Sequence, residues 1–235
     1  MPAQTTERAF ETYVEEMLLT KGGWQVGTLA EWDKERALFP ARIFAFLKEG
    51  QPKQWSQMQE LHGAGLEPLL ITALAKELDL KGTLHILRHG FKFYGKTFRL
   101  ANFKPAHGLS FDVLEAYGKN RLTVTRQVPC HPNDNSTVDM VLAVNGLPVA
   151  TTELKNPATG QSWRSAVRQY KEDRDPRAPL FRFKAPLDLP SVAILLVKKH
   201  ESEQIACRVE SKSTRLRLAR ETHRVYRRHE SLGRV

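Results

Sequence analysis

The stretch VDMVLAVNGLPVATTELK, Val138–Lys155, decides the fold. Two apolar runs flank Asn145-Gly146, a pair that favours a tight hairpin because the matching turn needs positive φ at both central residues. Three ionisable side chains interrupt the runs: Asp139, Glu153 and Lys155. A charge inside an apolar strand is costly unless it is paired or bound to a metal. Glu153 and Lys155 are two apart, so they project from one face of their strand. A two-residue turn pairs Val144 with Leu147 and Asp139 with Thr152, which puts Asp139 on the opposite face. A three-residue loop or a β-bulge brings all three side chains to one face. The spacing therefore predicts an odd loop or a bulge between Asp139 and Glu153. A regular two-residue hairpin with no bulge would contradict a shared site. Two carboxylates on one face beside an amine make a magnesium site next to a water activator, because hard divalent ions take oxygen ligands. A buried Asp–Lys or Glu–Lys ion pair is the alternative.

Outward from this hairpin, apolar spacing predicts helices over about residues 6–20, 28–48, 52–62 and 66–79, punctuated by Gly22-Gly23, Pro40, Pro52 and Pro68. The stretch around Leu84–Leu100 is β-prone, and a helix follows at about 110–118. Strands are expected near Leu122–Val128, Val138–Val144, Val149–Leu154 and Val192–Val197, with a helix at about 161–174 before the last. Helices followed by strands, then a helix and a strand, give a mixed α/β domain with helical decoration at its N-terminus.

GFKFYGKT, Gly90–Thr97, satisfies the phosphate-loop pattern GxxxxGK[ST]. Its context excludes that role. Phe91, Phe93 and Tyr94 are bulky where a backbone must approach phosphate, and Thr97–Leu100 continues as strand with no helix to follow. A β-hairpin is the better reading, and no nucleotide site is assigned. His85 and His89 then lie on a strand and share no helical face. Cys130-His131 has no second ligand pair, so zinc is not expected.

The chain has 235 residues and a formal net charge of +10. Its 41% hydrophobic and 26% charged residues give a globular balance and not that of a disordered chain. From Lys198 onward there are eleven Lys/Arg against five acids, so this tail holds +6 and the body only +4. No apolar run reaches the ~18 residues of a membrane span. Two cysteines, Cys130 and Cys207, build no disulfide framework, and a cytoplasmic location without a membrane is expected.

Asp…Glu-x-Lys on adjacent strands is the signature of the PD-(D/E)xK nucleases, and a longer text accompanies it here. Gly22-Gly23-Trp24, Leu87–Gly90, Phe103–Ala106, Asn120–Leu122, Thr125–Gln127, Val144–Pro148, Glu153–Pro157 and Gln169–Pro176 occur in order. Over about residues 5–184 the chain resembles the N-terminal nuclease domain of the R subunit of type I restriction–modification enzymes. The resemblance implies a restriction-endonuclease-like PD-(D/E)xK core, a mixed sheet flanked by helices. It also implies a Mg2+-dependent type I site-specific deoxyribonuclease acting on duplex DNA, with methyltransferase and specificity subunits as partners.

Asp139 and Glu153 match the metal carboxylates, Lys155 the catalytic lysine, and Gln169 the glutamine of a QxxxY motif. Here the fifth position of that motif is Asp173, and Tyr170 directly follows the glutamine. Tyr170 is an auxiliary candidate, with packing on the sheet as its alternative. Glu115 is another, with a solvated helix face as the more natural reading. ATP belongs to the family's motor domains, which do not fit in the remaining residues. The chain is expected to be a truncated R subunit with a nuclease domain over 1–185. The basic tail over 186–235 is then irregular or unrelated to the family, as from a shifted reading frame. The alternative function is a catalytically silent module that docks on DNA or on the complex.

Overall fold

In a computed structural model the described residues are 3–105, 110–155, 163–175, 177–181, 192–198 and 205–210. The chain is α/β. Helix α1 (Ala3–Gly22) leads into a two-residue strand, β1 (Gln25–Val26). Helices α2 (Pro40–Gly50), α3 (Pro52–His62), α4 (Leu66–Lys81) and α5 (Thr83–His89) follow, then strands β2 (Phe91–Phe93) and β3 (Lys96–Phe98). After α6 (Phe111–Gly118) come β4 (Leu122–Pro129), β5 (Thr137–Val144) and β6 (Leu147–Lys155). Helix α7 (Trp163–Arg168) runs into a π-helical turn, Gln169–Asp173, and β7 (Val192–Lys198) and β8 (Ile205–Glu210) close the described chain.

The main sheet has the order β1-β4-β5-β6-β7-β8. It is mixed: β1 pairs parallel with β4 and β6 parallel with β7, while the other pairs are antiparallel. The expected division at 185 falls ahead of β7 and β8, both of which join this sheet. Residues 186–191, 199–204 and 211–235 lie outside the described residues.

Alternation along the strands fixes what each face meets. Met140, Leu142, Ala150 and Leu154 pack under Phe10 and Val14 of α1. Val141 and Ala143 face the other way, into a cluster with Ala37, Phe39 and Leu180. The helical decoration has its own core: Phe46, Leu47, Leu70 and Leu74 enclose the β2–β3 hairpin through Phe91 and Phe98, and Leu147 ties that core to β6.

Two expectations fail. Residues 28–39 are not helix: a 3-10 turn at Leu29–Glu31 leads to an isolated bridge between Asp33 and Leu38, and the helix begins only at Pro40. Proline is favoured in the first turn, where its missing N–H has no partner to lose. Thr83–His89 is helix and not strand, so His85 and His89 do share a helical face, with ring centroids 4.6 Å apart. The apolar run was too short for its period to separate a buried helix turn from a strand. Gly90–Thr97 does form a hairpin, turning at Tyr94 and Gly95 with φ of 45° and 75°. A Cβ on Gly90 would lie 2.3 Å from the Phe98 carbonyl oxygen.

Candidate active site

The β5–β6 hairpin positions the charged residues. Asn145 and Gly146 have φ of 52° and 88°, so the turn is the two-residue type with both centres left-handed. Gly146 is required twice over, since a Cβ there would also meet the Phe39 carbonyl oxygen at 2.6 Å. Asn145 is fully buried. Its Nδ2 donates to the Leu100 carbonyl and to Asn120 Oδ1, each at 2.9 Å, and its Oδ1 accepts from the Arg121 N–H at 2.7 Å.

The predicted bulge is present. Val144 pairs with Leu147 and Ala143 with Pro148, but Leu142 pairs with Ala150, leaving Val149 as the extra residue. Pro148 lies at this irregularity, where a strand tolerates the missing N–H. Beyond the bulge Met140 pairs with Thr152. One step further the register sets Asp139 opposite Glu153, so Asp139, Glu153 and Lys155 share a face. Without Val149 that face would be lost, because a one-residue slip exchanges the faces of a strand.

Glu153 is buried, 1% exposed, and Lys155 Nζ lies 3.8 Å from its Oε2. Asp139 is half-buried, and its Oδ2 accepts from the Leu154 N–H at 2.6 Å. Burial, and then the neighbouring Asp139 charge, push the Glu153 carboxyl up to about 7, against the opposing pull of Arg174 and Lys155. Lys155 and Arg174 match the two carboxylates in formal charge, yet burial and the Asp139–Glu153 repulsion still raise Glu153, and a divalent cation would relieve that repulsion. Among the described residues no cluster of three or more His, Cys, Asp or Glu is arranged to hold a metal. The two-carboxylate set nevertheless fits magnesium, which is commonly bound by one or two carboxylates plus water and substrate phosphate.

Arg174, which had no assigned role in the sequence reading, enters this site. The buried guanidinium donates from Nη2 to Glu153 Oε1 at 2.5 Å and to the Thr137 carbonyl at 2.6 Å. Charge balance was the available signal: two carboxylates against Lys155 call for a second cation, although nothing in the sequence selects Arg174. Gln127 was also passed over. It lies on β4 between the pairs Arg126–Met140 and Val128–Val138, and so opposite Asp139 on the other side of β5. Its φ is 51°, a conformation non-glycine residues seldom adopt, and its Nε2 donates to Glu11 Oε1 at 2.9 Å.

The remaining candidates are placed less centrally. Gln169 is half-buried and opens the π-helical turn that ends just before Arg174. Only the backbone of Tyr170 is among the described residues. Glu115 lies on α6, largely exposed, with Lys119 Nζ 2.9 Å away, and that contact holds its carboxyl below the usual range.

A family model described as the type I restriction enzyme R protein N terminus matches residues 4–201. The chain belongs to that family. The match takes in α1, the whole β4–β6 meander and α7, and it runs past residue 185 to include β7. No curated protein and no solved structure matches the chain. Membership places the chain with the N-terminal region of type I restriction enzyme R proteins. Among the described residues no helix is long and apolar enough to cross a membrane.

Proposed function

We propose that the chain is a magnesium-dependent endonuclease unit on a PD-(D/E)xK core, hydrolysing phosphodiester bonds of duplex DNA within a cytoplasmic type I restriction–modification complex. The methyltransferase and specificity subunits of such a complex would be its partners, and sequence choice would rest with them. The observation that carries this reading is the bulge at Val149, which sets Glu153 across from Asp139 and beside Lys155.

Asp139 and Glu153 would hold the metal. When bound, magnesium supplies charge neutralisation at the scissile phosphate and lowers the pKa of water. Lys155 orients the attacking water through its Nζ and adds positive charge where the transition state gathers negative charge. Gln169, from the segment after α7, is assigned to the phosphate as an amide donor. Water attacks phosphorus in line and gives up a proton to bulk solvent, the P–O bond to the leaving oxygen breaks, and that oxygen takes a proton from solvent, so the step balances as one water added across one P–O bond.

The Arg174–Glu153 ion pair favours one rival. A carboxylate already satisfied by a guanidinium is also what a catalytically silent docking module would retain. Plasmid nicking with magnesium separates the two. The chain should nick, and Lys155→Ala should nick at least ~100-fold more slowly, the lower range for loss of a proton-transfer or charge-stabilising group. Equal nicking by both proteins removes the catalytic assignment.

A further inference from the structure

We infer that Arg174 is a positioning residue for the metal-binding carboxylate Glu153. The inference rests on the magnesium reading above and adds to it a residue with no place in the Asp…Glu-x-Lys signature.

The guanidinium is buried at the junction of four segments. Its Nη2 donates both to Glu153 Oε1 on β6 and to the Thr137 carbonyl at the start of β5. Its Nη1 reaches Cys130 Sγ, just past β4, at 3.4 Å. Arg174 itself follows the π-helical turn that begins at Gln169. That turn takes five residues, Gln169–Asp173, where the family's QxxxY motif would place tyrosine fifth. Such wide turns occur at functional sites.

The bond made by Nη2 is selective between the two carboxylate oxygens. Oε1 is taken by Arg174, and Oε2 is the oxygen nearest Lys155 Nζ, at 3.8 Å. A carboxylate at the end of a Glu side chain is otherwise free to rotate about its last torsion, which has a broad minimum. Bonding at Oε1 fixes that torsion and directs Oε2 toward the space shared with Asp139 and Lys155. The Thr137 carbonyl accepts from the same Nη2 and Cys130 Sγ from Nη1, so the planar guanidinium is held at two of its nitrogens and the clamp does not depend on charge alone. Partners that orient metal ligands in this way commonly change metal affinity 10–100-fold when removed.

The test uses the full chain with Mn2+ as the probe, bound ion being measured by loss of the free-ion electron paramagnetic resonance signal. Circular dichroism melts establish that each variant is folded at the assay temperature. Arg174→Gln should weaken Mn2+ binding at least ~10-fold, and Arg174→Lys should weaken it measurably but less. Asp139→Asn reports on the underlying reading, because it removes a proposed ligand without touching the clamp. If Asp139→Asn abolishes binding while folded Arg174→Gln binds as wild type, Arg174 is not a positioning residue and the metal reading survives. If Arg174→Gln does not fold, Arg174→Lys at wild-type affinity overturns the inference alone. If wild type and Asp139→Asn bind equally, or neither binds, the metal reading and this inference fall together.

Discussion

Glu153 is the residue at which stability and proposed function oppose each other. Burial and the Asp139 charge raise its carboxyl to about 7. Between its ordinary value and about 7 the folded chain holds a proton there that the unfolded chain has released. The contribution of this group to stability therefore falls as pH rises through that window. Asp139→Asn removes the neighbouring charge and keeps an oxygen able to accept from the Leu154 N–H. The metal-free chain should lose more thermal stability than Asp139→Asn between about pH 5 and about pH 8. The excess should be on the order of 1 kcal/mol, or ~2–4 °C in Tm for a chain of this size. Parallel Tm profiles for the two proteins would show that Asp139 does not raise the Glu153 pKa. At fixed pH above 7, magnesium should raise the Tm of the wild-type chain and leave that of Asp139→Asn unchanged, since a ligand stabilises only the state that binds it.

At the scale of elements, the hairpin turn holds the site in register, and Asn145 holds the turn. Its amide serves three partners contributed by the Leu100 segment, Asn120 and Arg121. Asn145→Ala leaves the Leu100 carbonyl and the Arg121 N–H without this partner in a buried setting. It should cost about 2–4 kcal/mol, read as a fall in denaturant midpoint at constant slope. An unchanged midpoint would mean the turn is held by its backbone alone. This hairpin was also the most legible part of the sequence. Asn145-Gly146 named the turn, and the demand that Asp139 reach the face of Glu153 and Lys155 required the bulge, though not its position at Val149. Arg174 and Gln127 were not legible. Arg174 acts across 21 residues of sequence through a contact that only the tertiary fold creates. Gln127 shows its left-handed backbone only once β4 is paired. The helix at Thr83–His89 was missed because Leu84 and Ile86 alternate as a strand would, and packing against the helical core decided otherwise.

For the whole molecule, charge distribution separates binding from chemistry. The body carries little net charge, and part of its basic complement is already internally paired. Arg126 contacts Glu11 at 2.6 Å and Glu15 at 3.4 Å, pinning α1 to β4, and Arg174 is paired with Glu153. Residues 211–235, beyond β8, carry eight Lys/Arg against two acids. Non-specific affinity for duplex DNA grows with the number of phosphates neutralised, and the slope of log affinity against log salt is about −0.9 per phosphate. Ending the chain after Glu210 should therefore reduce that slope by up to ~7, measured by fluorescence anisotropy on a labelled duplex over a salt series. The Mn2+ affinity of the same shortened chain should not change, because Asp139, Glu153, Lys155 and Arg174 all precede the cut. A slope that stays the same would place the DNA contacts on the α/β body, and a loss of Mn2+ binding would show that the tail supports the sheet that carries the site.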